Sequence, residues 1–252
     1  MKIGAQLYTA RDFTQNSKDF AETIKKVAAM GYETVQISGV SQDIPAVEIS
    51  EVCKANNVEI VLTHIPPDSL RRDIHAVIKN HEIMGCKYIG IGGIPAPYTH
   101  SKEGYDGFIK EFAPIAKALK DAGKQFMYHN HSAELFRTEG KMGLEYMAEN
   151  FPDAGFTIDT YWIQGGGSDP AWWLKKLAGR VDCIHLKDFV VVDGQARMAE
   201  VLEGNLNWDA IFDAAKAAGV KYALVEQDDA YVGDPFDCLN TSFQNLKKRG
   251  LA

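Results

Sequence analysis

The sequence lacks three features that would mark particular classes of protein. None of its four cysteines lies in a CxxC pair, which argues against a zinc site built from thiolates. No apolar run approaches the roughly 20 residues that a membrane-spanning helix needs. Acidic residues outnumber basic ones by 34 to 27, so the net charge is −7, the opposite sign to that of most phosphate-tracking proteins. We therefore expect neither a membrane nor a nucleic acid among its partners.

The amino terminus and the cysteines both bear on the cellular compartment. Residues 1–7 lack the long apolar segment of a secretory signal peptide. The four cysteines are Cys53, Cys86, Cys183 and Cys238, and their wide spacing is typical of reduced, buried thiols. Together these features predict a cytoplasmic protein.

Short apolar runs recur along the whole chain. Each is rich in Ile, Val, Leu or aromatic residues and is too short for a stable helix, as in parallel strands that are buried on both faces. The eight runs cover residues 2–7, 34–37, 59–63, 88–91, 125–128, 155–158, 183–186 and 222–225.

Helical patterns lie between these runs, and several end at a glycine. Residues 19–30, 73–84, 111–122 and 208–218 have helical periodicity and are followed by Gly31, Gly85, Gly123 and Gly219. Glycine readily adopts the positive φ that ends a helix before the chain turns into a strand. Eight strands alternating with helices in 252 residues predict an α/β fold, a (β/α)8 TIM barrel that forms one domain over residues 1–252. An open doubly wound sheet is the alternative.

Polar side chains follow the predicted strands at the end where barrel enzymes keep their chemistry. Seven of the eight strands end on His, Asp, Glu, Gln or Lys. Strands five to eight each supply one strong metal-binding residue to the same half of the barrel mouth. These four are His129, Asp159, His185 and Glu226. Imidazole and carboxylate together suit one divalent ion such as Mn²⁺, Zn²⁺, Co²⁺ or Mg²⁺.

Six groups of residues, spread from one end of the chain to the other, carry a family resemblance. They are residues 4–8 with 11–12, 128–131 with Glu134, 158–162, 179–181 leading into 185–188, 203–205 with Trp208, and 225–228. As a set they resemble the sugar phosphate isomerase/epimerase family, the xylose isomerase-like barrels. The strand-five motif Tyr-His-Asn-His-x-x-Glu is similar to that of one branch of the family.

The resemblance implies a (β/α)8 barrel that holds one divalent metal ion at the ends of strands five to eight. It places Asp159, His185 and Glu226 on metal positions. Many members have Glu at the strand-five position, where this chain has His129. Two arrangements remain open at this point: His129 binds the ion, or Glu134 turns in as a ligand or base.

The resemblance also implies a sugar or keto-sugar substrate that reacts through an enediolate. We expect Glu226 to be the first catalytic base. Its partner in proton transfer would be Glu134, His131 or His129. Lys187 would bind the substrate and neutralise a developing oxyanion. The other residues expected to line the sugar pocket are Gln6, His64, Trp162 and Asp228.

Other functions share this barrel and this metal chemistry. If the proton partner protonates a β-hydroxyl, the same enediolate loses water, which would make the protein a lyase or dehydratase on a keto-sugar or inosose. A phosphodiester-cleaving endonuclease is disfavoured by the acidic charge. A catalytically inactive sugar-binding barrel is a further alternative, because fold does not imply function. The resemblance also suggests a homo-oligomer.

Overall fold

The computed structural model describes residues 1–231 and 233–252. Eight parallel strands close into a barrel in which each strand pairs with its neighbours in sequence and the last pairs with the first. The strands are β1 (Lys2–Gln6), β2 (Thr34–Ile37), β3 (Glu59–His64), β4 (Tyr88–Ile91), β5 (Gln125–His129), β6 (Gly155–Asp159), β7 (Cys183–Leu186) and β8 (Tyr222–Val225). The predicted (β/α)8 barrel is confirmed, and the open doubly wound sheet is wrong.

Ten α-helices in the described residues accompany the strands. They are α1 (Ser17–Met30), α2 (Ala46–Ala55), α3 (Pro67–Arg72), α4 (Ile74–Ile83), α5 (Lys102–Asp121), α6 (Gly143–Asn150), α7 (Thr160–Gly165), α8 (Pro170–Lys176), α9 (Trp208–Ala218) and α10 (Pro235–Lys248). Short 3₁₀ helices cover Leu7–Phe13 and Ala133–Leu135. An antiparallel hairpin pairs Asp188–Val192 with Gln195–Ala199 beyond β7, and a smaller one pairs Arg137–Thr138 with Lys141–Met142. None of these helices combines the length and the apolar character needed to cross a membrane.

Some helix boundaries agree with those predicted from the sequence, and one does not. Gly31 and Gly219 end α1 and α9 with φ of 112° and 79°, as predicted. The prediction for α5 was too short, because this helix begins at Lys102 rather than at residue 111. Gly104 and Gly107 weaken the helical pattern there, but their lack of a side chain lets the helix pack closely. A Cβ at Gly107 would lie 2.7 Å from the Tyr98 ring.

The barrel interior has an apolar lower layer and a polar upper layer. A buried cluster formed by strand residues alone includes Leu62, Met127, Cys183 and Leu224. Because side chains two apart in a strand share a face, the residue two positions later points into the same interior nearer the mouth. The resulting pairs are Leu62 and His64, Met127 and His129, Cys183 and His185, and Leu224 and Glu226. The strand period thus carries four polar side chains into the mouth of a packed barrel.

Candidate active site

Four buried side chains converge at the carboxyl ends of β5 to β8. They are His129, Asp159, His185 and Glu226, and one ligand atom from each lies within 4.8 Å of all the others. His129 Nε2 is 3.3 Å from Asp159 Oδ2, and His185 Nδ1 is 2.9 Å from Glu226 Oε2. The structure therefore brings together the four residues that the sequence predicted as metal ligands.

Two of these atoms have no hydrogen-bond partner among the described residues, although both are buried. They are His185 Nδ1 and Glu226 Oε2. A buried polar atom without a partner costs about 1–3 kcal/mol, so such atoms call for an explanation. A divalent ion would satisfy both at once, and a set of two imidazoles and two carboxylates suits one. The four residues could hold such an ion.

Hydrogen bonds outside the cluster orient the two imidazoles. His129 Nδ1 lies 3.2 Å from the Gly92 carbonyl oxygen, and His185 Nε2 lies 2.7 Å from Gln36 Oε1. Because an amide oxygen only accepts, each of these ring nitrogens donates its proton outward. The other nitrogen of each ring then faces the cluster, which is the usual support for a metal-binding histidine.

The two carboxylates are held in the same manner. Glu226 Oε1 accepts a hydrogen bond from Gln6 Nε2 at 2.9 Å. Asp159 caps the start of α7, where its Oδ1 accepts from the Trp162 backbone N–H at 2.9 Å. The second oxygen of each carboxylate, Oε2 of Glu226 and Oδ2 of Asp159, is the one that faces the histidines.

Lys187 places a buried ammonium group beside the cluster. Its Nζ lies 2.9 Å from both carboxylate oxygens of Asp228, 3.0 Å from Glu226 Oε2 and 3.4 Å from Asp159 Oδ2. Burial disfavours the charge, but these three carboxylates outweigh it and raise the pKa of Lys187. The ammonium group is therefore a permanent positive charge at the site.

Burial and the neighbouring charges also shift the pKa values of Glu226 and Asp228. Burial disfavours the charge of Glu226, but Lys187 and His185 lower the pKa of its carboxyl below the usual value. Burial and the charge of Glu226 raise the pKa of Asp228 to about 6. Glu226 is therefore ionised at neutral pH, as a catalytic base must be.

A cavity of about 340 Å³ opens beside the cluster, and His129 and Glu226 are the two of the four residues that line it. It brings His131 and Glu226 into one chamber with all five residues that the sequence predicted to line the sugar pocket. Those five are Gln6, His64, Trp162, Lys187 and Asp228. Trp162 packs against His131 with ring centres 5.1 Å apart, so its indole forms part of the cavity wall.

Glu134 does not join this cluster. Its carboxylate accepts hydrogen bonds from the Tyr128 hydroxyl at 2.6 Å and from the His131 backbone N–H at 2.8 Å, and it lies 3.3 Å from His100 Nε2. It lines a neighbouring cavity that it shares with His131. Of the two arrangements left open by the sequence, the geometry places His129 with the other three candidates.

Sequence reasoning missed several supporting residues. Gln36 was recognisable as the polar end of β2, but only the structure pairs it with His185. His100 lies between β4 and α5 in a stretch without any pattern that would single it out. Asp188 accepts hydrogen bonds from the Trp208 indole at 2.6 Å and the Gly204 backbone N–H at 3.0 Å. These contacts connect the motif at residues 203–208 to the segment directly after β7, where Lys187 lies.

Comparisons with solved structures agree with this fold. A sugar phosphate isomerase/epimerase from Parabacteroides distasonis ATCC 8503 shares 23% identity and a TM-score of 0.81, with 98% of each chain covered. The probable 3-DHS dehydratase of Bacillus anthracis shares 15% identity and a TM-score of 0.75, covering 99% of this chain and all of its own (100%). A D-allulose 3-epimerase from Methylomonas sp. shares 13% identity and a TM-score of 0.72, with 99% and 98% covered.

Sequence comparison identifies the family. A search of curated proteins found no match to this chain. Residues 24–247 match the sequence model of the xylose isomerase-like TIM barrels, which spans most of the chain and confirms the resemblance seen in the sequence motifs. The chain belongs to the xylose isomerase-like TIM barrel family.

Proposed function

We propose that this protein is a divalent-metal-dependent isomerase or epimerase that acts on a sugar or keto-sugar through an enediolate. The observation that carries the proposal is the group of four buried donor atoms within 4.8 Å at the barrel mouth. The structural relatives named as a sugar phosphate isomerase/epimerase and a D-allulose 3-epimerase support the substrate class.

The atoms that would hold the ion are His129 Nε2, Asp159 Oδ2, His185 Nδ1 and Glu226 Oε2. Two imidazole nitrogens and two carboxylate oxygens favour Mn²⁺, Zn²⁺ or Co²⁺ over Mg²⁺, which prefers oxygen ligands alone. When bound, the ion would supply positive charge that polarises the carbonyl and hydroxyl oxygens of a sugar and acidifies the adjacent C–H.

Glu226 is the proposed base. Its Oε2 faces the cluster, whereas its Oε1 is oriented by the Gln6 amide and removes the proton from the substrate carbon. The Lys187 ammonium group, 3.0 Å from Glu226, is placed to stabilise the negative charge that develops on the enediolate oxygen.

His131 is the proposed partner in proton transfer. Burial and the neighbouring His129 lower the pKa of His131 to about 4, so its imidazole is neutral at neutral pH and has a nitrogen that can accept a proton. Return of a proton to the same carbon gives an epimer, and return to the next carbon gives an isomer. Glu134 supports this role by holding the backbone N–H of His131.

Solvent exchange tests the proposal. In D₂O with added Mn²⁺, a panel of ketopentoses and ketohexoses is followed by proton NMR. We expect deuterium to enter the C–H next to the carbonyl of at least one sugar, and Glu226→Gln to abolish this exchange. Exchange that persists unchanged in Glu226→Gln would contradict the role of Glu226, and the absence of exchange with every sugar would favour an inactive binding barrel.

A lyase is the second candidate function. The observation that favours it is that His131 lines both the active-site cavity and its neighbour, so it can reach a group that leaves the substrate. Glu226 would take the carbon proton, the electron pair would form a C=C bond, and the C–O bond would break as the leaving oxygen takes the N–H proton of the neutral His131 ring, whose other nitrogen takes a proton from water. The unsaturated product would absorb in the ultraviolet, which distinguishes this reaction from epimerisation.

A further inference from the structure

A second cavity adjoins the active-site cavity beside β4 and β5. It has a volume of about 550 Å³, and Gly92 and His131 line both cavities. Gly93 lies at the same boundary with φ of 153°, and a Cβ there would sit 3.3 Å from His131 Nδ1. The two glycines therefore leave space beside the His131 ring, where the two cavities meet.

The first cavity is small for a substrate-binding site. At about 340 Å³ the first cavity is near the lower end of the range of about 300–1,000 Å³ seen for small-molecule sites. That is room for a single sugar ring above the four proposed ligands. The second cavity offers further space that a monosaccharide held at the ligand cluster would not reach.

The walls of the second cavity combine polar and apolar groups. Ile94 and Pro95 offer an apolar surface, and Glu134 and His100 offer a polar edge. The Glu134 side chain is 1% exposed, and its carboxylate is fixed by the Tyr128 hydroxyl and the His131 backbone N–H. Burial disfavours its charge, but hydrogen bonds from His100, Tyr128 and His131 lower the pKa of Glu134, so it is ionised at neutral pH.

A fixed carboxylate beside an apolar wall suits a second sugar ring. Glu134 Oε2 has one partner, the His131 backbone N–H, so it has a lone pair left for a ring hydroxyl, and the C–H face of the ring would pack on the apolar side chains. His100, whose side chain is 37% exposed and whose Nε2 lies against Glu134, adds a polar ring at the edge of the same cavity.

We propose that the substrate is a glycoside with two sugar rings, of which the first lies above the four-residue cluster and the second fills the cavity lined by Ile94, Pro95, His100 and Glu134. This inference deepens the proposed function and rests on it for the position of the reacting ring. It names the class of substrate and assigns Glu134 to the recognition of the second ring.

Binding measurements on matched sugars test this inference without turnover. Calorimetric titration compares D-glucose with cellobiose and D-galactose with lactose on the full-length protein. We expect the disaccharide of at least one pair to bind about tenfold more tightly than its monosaccharide, equivalent to about 1.4 kcal/mol. Equal affinities within both pairs, or no binding by either disaccharide, would overturn the proposal.

Variants locate the gain in affinity. Ala133 is exposed and lines the second cavity but not the first, so Ala133→Trp fills the second cavity. It should erase the advantage of the disaccharide and leave monosaccharide affinity within about twofold. Ala122→Trp, an exposed change after α5, is the matched control and should alter neither. An advantage that survives in Ala133→Trp would place the second ring elsewhere.

Glu134→Gln keeps the size of the side chain, so it tests the same cavity even if Ala133→Trp fails to fold. It should weaken disaccharide binding by about threefold to tenfold. Metal content and solvent exchange on the same preparations separate the two hypotheses. Metal binding and exchange without a disaccharide advantage would overturn the two-ring substrate alone, whereas a wild type without metal or exchange would overturn the proposed function.

Discussion

His185 Nδ1 lies 2.9 Å from Glu226 Oε2 inside the barrel, and neither atom has a hydrogen bond of good geometry in the described residues, although Lys187 Nζ lies 3.0 Å from the same Glu226 oxygen. The outer nitrogen of His185 is bound to Gln36, and the outer oxygen of Glu226 is bound to Gln6. Gln36 and Gln6 thus orient His185 Nδ1 and Glu226 Oε2 toward the same place in the barrel mouth, where a metal ion could bind both atoms.

Removal of the Gln36 support should weaken metal binding without removing a ligand. Gln36→Leu leaves His185 free to rotate, and loss of such a supporting hydrogen bond typically costs about 10–100-fold in metal affinity. A titration of Mn²⁺ or Zn²⁺ against a competing chelator measures the change. Gln244→Leu, a change on α10 remote from the barrel mouth, is the control and should keep the wild-type affinity. Unchanged affinity in Gln36→Leu would argue against His185 as a ligand.

Metal affinity should rise with pH. Burial opposes the charge of His185, but Glu226 and Asp159 raise the pKa of its imidazole to about 9, above its usual 6.5. A ligand histidine must lose this proton, so affinity should increase by up to about tenfold per pH unit between pH 6.5 and 9. Calorimetry in buffers of different ionisation enthalpy would detect the released proton. A flat profile over this range would contradict the assignment.

The same shift affects the stability of the metal-free protein with a defined sign. A raised pKa in the folded state means that the stabilising contribution of His185 is fully present below pH 6.5 and is lost as the pH rises through about 9. Urea denaturation of metal-free wild type should therefore show a falling free energy of unfolding over that window. His185→Gln should show a smaller decrease, and an equal decrease in both proteins would point to other groups.

Loss of the Lys187 ammonium group should destabilise the metal-free protein strongly. Lys187→Met leaves Asp159, Glu226 and Asp228 without their shared cation in a buried setting. Breaking a buried ion pair in this way costs about 3–5 kcal/mol in free energy of unfolding. Because a bound ion would neutralise part of the same charge, saturating Mn²⁺ should restore part of the loss. A change below about 1 kcal/mol would show that the ammonium group is not needed to balance these carboxylates.

Gly204→Ala should disturb the anchor beside Lys187. A Cβ at Gly204 would overlap the Asp188 carboxylate, which accepts the Gly204 N–H and the Trp208 indole. Overpacking of this kind typically costs about 1–3 kcal/mol. Gly165→Ala is the matched control, because a Cβ at Gly165 meets nothing within 4 Å. Equal melting temperatures for the two variants would contradict the packing argument.

Much of the fold could be predicted because each strand is a short apolar run and several helices end at glycine. The helix α5 was predicted too short, since Gly104 and Gly107 have low helix propensity and their close packing is visible only in three dimensions. At the site, strand ends and the two-residue period were enough to propose His129, Asp159, His185 and Glu226 as one group. The position of Glu134 was not predictable, because its partners Tyr128 and His100 lie on different segments and depend on how the loops pack.

The metal content of the purified protein tests the central claim most directly. Elemental analysis should find about one divalent ion per chain in the wild type, and little or none in His129→Ala and Asp159→Ala. The reason is that a site with four ligands loses most of its affinity for the metal ion when one ligand is removed. Circular dichroism would confirm that both variants remain folded. If the ion is lost in Asp159→Ala but retained in His129→Ala, His129 is not a ligand of the metal ion. A wild type that holds no ion even after reconstitution with Mn²⁺, Zn²⁺ or Co²⁺ would contradict the account.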